Sequence, residues 1–215
     1  MGTTHIFSRK EELANAITHG IGVVLSLAAL VVLIVFASLY GSAMHVVSFT
    51  VYGTTMLMLY FSSTMLHSLP EGKVKDIFEV IDHAAIYLFI AGTYTPLLFI
   101  VVQGALGWTL FGVVWGLAVV GIVFKAFFVK RFLFLSTACY VAMGWLAVIA
   151  FRPIMETLPS GGIACLVGGG IAYTVGTIFY VWRGFSYHHA IWHVFVLIGS
   201  ILHFVLILFY VLPIG

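Results

Sequence analysis

Charge is what this chain has least of: Asp, Glu, Lys and Arg make up 7% of its 215 residues, against 63% hydrophobic. A water-soluble domain carries about a quarter charged residues, so that class is excluded, and no basic tract points to a nucleic-acid partner. Cysteine is nearly absent as well, with Cys139 and Cys165 its two copies. They fall near opposite ends of apolar stretches, at depths that differ by more than the ~7 Å a disulfide tolerates between Cα atoms. Two free, buried thiols are expected. No cleavable leader is expected either, because MGTTHIFSRKEELANA is polar and carries both signs of charge where a signal peptide has a basic stretch before a short apolar core. The first apolar stretch is therefore expected to be retained. Met1-Gly2 does not make an acylation start, since His5 or Ile6 stands where that motif needs Ser or Thr. No internal repeat and no low-complexity tract occurs.

What remains is hydrocarbon. A membrane helix needs about 20 apolar residues, and seven such stretches fit, at roughly 18–40, 44–66, 80–102, 105–127, 132–151, 162–182 and 190–213. Runs such as Ile21 to Tyr40 lack the alternation of a barrel strand, and only helices or closed barrels satisfy every backbone group in lipid. The fold class is all-α, a seven-transmembrane helix bundle. It comprises a short N-terminal segment, 1–17, and a single membrane domain, 18–215. Arg9, Lys10, Lys73, Lys75, Lys125, Lys130, Arg131 and Arg183 fall on one side and Arg152 alone on the other. The positive-inside rule then puts the N-terminus in the cytoplasm and the C-terminus outside, in a plasma membrane, or the inner membrane of a bacterium.

Small residues recur every fourth position in span 6, at Ala164, Gly168, Ala172 and Gly176, and more briefly in span 4 at Gly112 and Gly116. Both stripes are expected to pack closely against neighbouring helices. Between spans 2 and 3, Pro70 and Gly72 make a turn, after which Val74, Ile77, Phe78 and Ile81 follow helical spacing. The third helix should start near Lys73, with Lys75, Glu79 and Asp82 on its opposite face. Further on, Gly92, Thr93, Thr95 and Pro96 loosen it, as a kink or as a widening of an interior cavity.

His189 and His193 lie one helical turn apart and share a face. With span 2 descending to the basic side, His67 closes it at the depth where span 7 begins, and Asp82 opens span 3 at that same depth. Ionisable groups inside a membrane are costly and usually functional, and three imidazoles there need partners. Two readings stay open on these residues: a hydrogen-bonded histidine cluster without metal, or a zinc ion on His67, His189 and His193 with an open fourth position, the arrangement of catalytic zinc sites. Asp82 is placed to orient or deprotonate a water as an outer carboxylate, or else is a helix-start charge paired with Lys75. Ser63, one turn before His67, would hold that water or a substrate carbonyl, or bond back to its own helix. His19 and His83 adjoin the basic surface, His188 points about 100° away from His189, His45 is external and His5 is in the tail. His203 sits ~21 Å above His189 and reads as an interior polar group or a helix-to-helix hydrogen bond.

SSTMLH (62–67), IDHAAIYLFIAGTYTP (81–96) and HAIWHVFVLIGSILHF (189–204) together resemble the signature segments of the progestin and adipoQ receptor family, and above all its bacterial hemolysin III branch; ELANAITHGIG (12–22) resembles that branch's entry into the first span. The resemblance covers essentially the whole chain. It implies a seven-helix bundle with zinc on His67, His189 and His193, and with Asp82 and Ser63 as the catalytic pair beside the metal. The broader superfamily includes intramembrane zinc hydrolases of lipid amides, while other relatives are named receptors or hemolysins. The short N-terminal segment argues against a hormone receptor. The leading expectation is therefore a zinc-dependent hydrolase of membrane lipid amides, and the alternative is a non-enzymatic sensor of lipid composition with structural zinc. A pore-forming hemolysin finds no support, for want of a secretion signal or an amphipathic repeat, and a secondary transporter lacks paired broken helices.

Overall fold

The computed structural model describes residues 7–214, so His5 and the start at Met1-Gly2 lie outside the described residues. Seven helices long and apolar enough to cross a membrane follow one another, and no strand occurs among the described residues. The helices are α1 (Arg9–Tyr40), α2 (Ala43–Ser68), α3 (Lys73–Pro96), α4 (Gly104–Phe128), α5 (Leu133–Gly144), α6 (Phe151–Thr157), α7 (Ser160–Val181) and α8 (His188–Leu206). The fifth span is built from α5, a 3-10 stretch Trp145–Ala150 and α6. This is a multi-pass membrane protein.

The boundaries have local causes. α1 begins at Arg9, well before the expected start of the first span, because Ser8 and Glu11 form a reciprocal capping box: Glu11 N–H donates to Ser8 Oγ and Ser8 N–H to Glu11 Oε2. α3 starts at Lys73 after Gly72, whose φ of 153° suits glycine. Past Pro96, which has no N–H to give, α3 loosens into a π-helical turn, Leu97–Val102, and left-handed Gln103 and Gly104 reverse the chain into α4.

Span 5 departs from a plain helix for a reason no propensity shows. The Tyr94 hydroxyl donates to Gly144 O at 2.6 Å and accepts from Ala147 N–H at 2.8 Å, so a side chain from α3 occupies the ladder where the 3-10 stretch begins. Tyr94→Phe would strand both backbone groups in a medium without water, at about 1–3 kcal/mol each. A clear fall in the unfolding midpoint in detergent is expected, and an unchanged midpoint would contradict this role.

α1 packs on α2, α2 on α3, α3 on α4, α7 on α8, and α8 returns against α1, while α5 meets α7 and α3. The span Lys73–Val102 is the enclosed centre, with 72% of its apolar stretch buried against 22–50% in the others. Exposed Val24, Val31, Leu39, Val120 and Phe127 face outward, as lipid-facing residues do. Inside, Tyr60 Oη donates to Ser200 Oγ at 2.6 Å and Tyr52 Oη to Ser200 O at 3.3 Å, with Tyr173 Oη 3.1 Å from the same hydroxyl, a polar knot joining α2, α7 and α8. Such interhelical bonds contribute about 0.6 kcal/mol each.

The two small-residue stripes behave differently. On α7, Gly169 lies against the His203 ring and Gly176 against Trp192 and Phe195, so α7 and α8 do pack closely. The buried face is Gly162, Gly169, Ala172, Gly176 and Tyr180, with Ala164 exposed. Gly112 and Gly116 are exposed, with nothing near an added Cβ. α4 instead packs through Gly107, Leu110, Val114, Ala118 and Gly121, the face turned toward α3. Lys125 also departs from its expected place between spans: it is buried in α4, and its Nζ donates to Ser136 Oγ at 2.9 Å. Both cysteines are free thiols, but Cys139 is exposed and Cys165 is half-buried, packed against the edge of the core.

Candidate metal centre

The end of the bundle bearing Arg9, Lys10, Lys73, Lys75, Lys130, Arg131 and Arg183, here called the basic end, is tied together by polar contacts between segments far apart in sequence. Tyr187 N–H donates to Glu11 Oε1 at 3.0 Å, joining the start of α8 to the start of α1. Lys130 in the α4–α5 loop donates to Asp76 Oδ1 at 2.7 Å and lies 3.4 Å from Glu79, a pairing that raises the lysine's pKa. At this same end three histidines from two helices come together.

His67 ends α2, and His189 and His193 occupy the first turns of α8. Each offers one ring nitrogen, and these atoms all lie within 4.8 Å of one another, close enough to share a metal ion. His67 and His193 are buried and His189 half-buried. Hydrogen bonds select the tautomers. His193 Nδ1 lies 3.2 Å from Asn15 O, which can only accept, and 3.1 Å from Thr18 Oγ1, whose own proton goes to Ala14 O. Its Nδ1 therefore carries the proton and its Nε2 keeps a free lone pair. His67 Nδ1 lies 2.6 Å from Glu12 Oε2, and its Nε2 is buried with no partner among the described residues. A buried nitrogen left this way costs about 1–3 kcal/mol, a cost that a cation between the three rings would remove.

Two cavities meet at the cluster. One, of about 130 Å³, is lined by Ser63, Asp82, His189 and His193 near the basic end and reaches His203 deeper in the bundle, between walls of Phe89, Tyr140 and Trp192. The other, of about 200 Å³, is a charged vestibule lined by His67, His189, Lys75, Arg131 and Arg183. Asp82, His83, Tyr180 and His189 line both. Asp82 is 9% exposed, neighbours Ser63, and has His83 Nδ1 at 3.7 Å from Oδ2. Its expected alternative partner is engaged elsewhere, for Lys75 Nζ lies 2.6 Å from Glu12 and 3.0 Å from Glu71. Thr93 and Tyr94 of α3 line the first cavity, whereas no residue of the loosened turn Leu97–Val102 does.

The remaining histidines sort as follows. His203 lines the first cavity and hydrogen-bonds Leu166 O across to α7 at 3.2 Å. His45 accepts from Ser42 N–H at 3.1 Å and caps α2 at the far end. His188 is buried and donates from Nδ1 to Phe179 O at 3.0 Å. His83 donates to Glu79 O at 2.8 Å.

His19 belongs to the site and not to the surface where the sequence places it. It is 3% exposed, lies flat on His193 with centroids 3.4 Å apart and planes at 11°, and has neither nitrogen partnered among the described residues. With Glu12, Asn15 and Thr18 it forms an inward polar face of α1 that sequence reasoning missed. A signal was present, because Glu12, Asn15 and His19 stand at helical spacing; treating residues up to 17 as a solvated lead-in hid it.

Comparison with known proteins gives the family of the chain. A family model described as "Haemolysin-III related" matches residues 7–204. The "Hemolysin-3 homolog" of Bacillus subtilis (strain 168) is 59% identical over 205 residues, covering 95% of this chain and 96% of the relative. "Hemolysin-3" of Bacillus cereus is 55% identical over 204 residues, covering 95% and 93%. At greater distance, the human "Monocyte to macrophage differentiation factor" is 27% identical over 160 residues, covering 72% of this chain and 66% of the relative.

Proposed function

The chain belongs to the haemolysin-III related family, and from that premise we propose that His67, His189 and His193 hold a zinc ion with which the protein hydrolyses an acyl bond, foremost an amide, of a membrane lipid. One observation carries the reading: three clustered imidazoles, with Ser63 and Asp82 close by, stand where a charged vestibule meets a cavity walled by apolar side chains. Nitrogen-only ligation suits zinc, which supplies Lewis acidity for polarising a carbonyl and activating water near neutral pH.

The chain's own residues then divide the work. The vestibule takes the polar headgroup, and the inner cavity takes the acyl chain; from His193 to His203, α8 climbs about 15 Å. Access from the bilayer lies between α5 and α7, where Gly144, Trp145, Gly170 and Thr174 line the cavity and Trp145 is 39% exposed. Asp82 accepts the proton of the attacking water and returns it to the leaving amine, general acid–base work with a typical effect of about 10²–10⁴-fold. Ser63 hydrogen-bonds the substrate carbonyl oxygen through its hydroxyl and keeps its proton. By positive-inside orientation the vestibule opens to the cytoplasmic leaflet.

Purified, metal-loaded protein assayed against amide and ester lipids tests this. Turnover is expected, together with a fall of about 10²-fold or more in kcat for Asp82→Asn at unchanged metal content. Turnover no higher than that of His193→Ala would sink the hydrolase and return the protein to a lipid-sensing role.

A further inference from the structure

We propose that Glu12, on the first helix, is the positioning residue of the metal site: its carboxylate holds the His67 ring by Nδ1–H, aims Nε2 at the ion and strengthens that nitrogen as a ligand. This rests on reading the histidine cluster as a metal centre. His67 Nδ1 lies 2.6 Å from Glu12 Oε2, and the other carboxylate oxygen, Oε1, takes Lys75 Nζ, also at 2.6 Å. Lys75 opens α3 and further pairs with Glu71 at 3.0 Å. A chain of contacts thus runs from the α2–α3 turn through Lys75 and Glu12 to His67. It is sheltered: the side chains of His67, Glu12 and Lys75 are 3%, 19% and 15% exposed.

The chemistry favours a positioning role over a plain ion pair. Were His67 simply a cation opposite Glu12, its Nε2 would carry a proton, yet that nitrogen is buried and has no acceptor among the described residues. With Nδ1–H given to a carboxylate, Nε2 is a lone pair, and the carboxylate pulls the Nδ1 proton so that electron density rises at Nε2. Lys75 balances the Glu12 charge and fixes its rotamer. His193 is oriented differently, by the Asn15 carbonyl and the Thr18 hydroxyl, so both ligands are set by one face of α1. The Asn15 Nδ2, a donor 3.5 Å from His67 Nδ1, does not compete with the carboxylate at 2.6 Å for that N–H.

The test is zinc affinity, measured by chelator competition on purified full-length protein in detergent, for wild type, Glu12→Ala, Glu12→Gln, Glu71→Gln and His67→Ala. Glu12→Ala is expected to weaken zinc binding about 10–100-fold. Glu12→Gln keeps an oxygen acceptor in the same shape and is expected to recover part of that loss. Glu71→Gln, on a residue 87% exposed and touching Lys75 alone in this chain of contacts, should bind zinc like wild type. Cobalt substitution adds a readout that a merely structural role would not move, namely a shifted visible ligand-field spectrum in both Glu12 variants. Wild-type affinity and an unshifted spectrum in folded Glu12→Ala and Glu12→Gln would overturn the proposal while leaving the metal centre standing. A wild type that binds no more zinc than His67→Ala would overturn the metal centre itself.

Discussion

His67→Ala is expected to take bound metal from about one ion per chain to a small fraction of one. Two imidazoles on one helix remain in that variant, and two protein ligands do not make the closed shell that holds zinc tightly. Elemental analysis of purified protein reads the change directly, and stability should follow. A ligand bound only by the folded state at a thousand times its Kd contributes about 4 kcal/mol, so chelator should lower the unfolding midpoint of wild type and leave that of His67→Ala where it is. The same comparison serves for His193→Ala, whose ring is 1% exposed. If chelator leaves the wild type unmoved and no metal is found, the cluster is a hydrogen-bonded histidine group and the hydrolase reading falls with it.

Gly22→Leu is expected to be the most damaging change in α1 outside the polar face. A Cβ at Gly22 would lie 2.3 Å from the Tyr60 ring. Tyr60 has nowhere to retreat: it is 1% exposed, bonded to Ser200 Oγ at 2.6 Å, and edge-on to His19 at 5.0 Å. Overpacking of this kind costs about 1–3 kcal/mol and more where a bond breaks as well. Because His19 lies on His193, zinc affinity should fall together with the unfolding midpoint. Gly116→Leu is the matched control, since nothing lies within 4 Å of its added Cβ. A change within about 0.5 kcal/mol is expected there. Equal effects of the two substitutions would mean that α1 does not seat against α2 as described.

Much of this protein is legible in one dimension. Seven spans follow from length and hydropathy alone, because in lipid each helix must satisfy its own backbone. The start of α3 at Lys73 follows from Pro70 and Gly72. The gathering of His67, His189 and His193 follows from counting crossings, since alternating spans return chosen residues to one side. What the count misses is instructive. The Gly112 and Gly116 stripe looks like a packing face yet lies in the open, because small residues permit close approach without dictating which neighbour arrives. Cys139 and Lys125 exchange their expected environments for the same reason: hydropathy reports depth, and the rotation of a helix about its axis is set by its partners.

The interior partnerships are therefore decisions of the tertiary structure. Glu12 looks like a solvated charge in a lead-in segment until α1 is seen to begin at Arg9 and to lay that side chain on His67. His19 looks like a surface residue until its ring is found flat on His193. Tyr94 carries no sign in the sequence that its hydroxyl will break the ladder of span 5. By itself the sequence determined the class of the protein, the number of its spans and the common depth of His67, His189 and His193, because hydrophobic length and covalent order act along one axis. Only the assembled bundle decided which polar groups face one another, because hydrogen-bond partners in a dry interior are chosen across helices by packing.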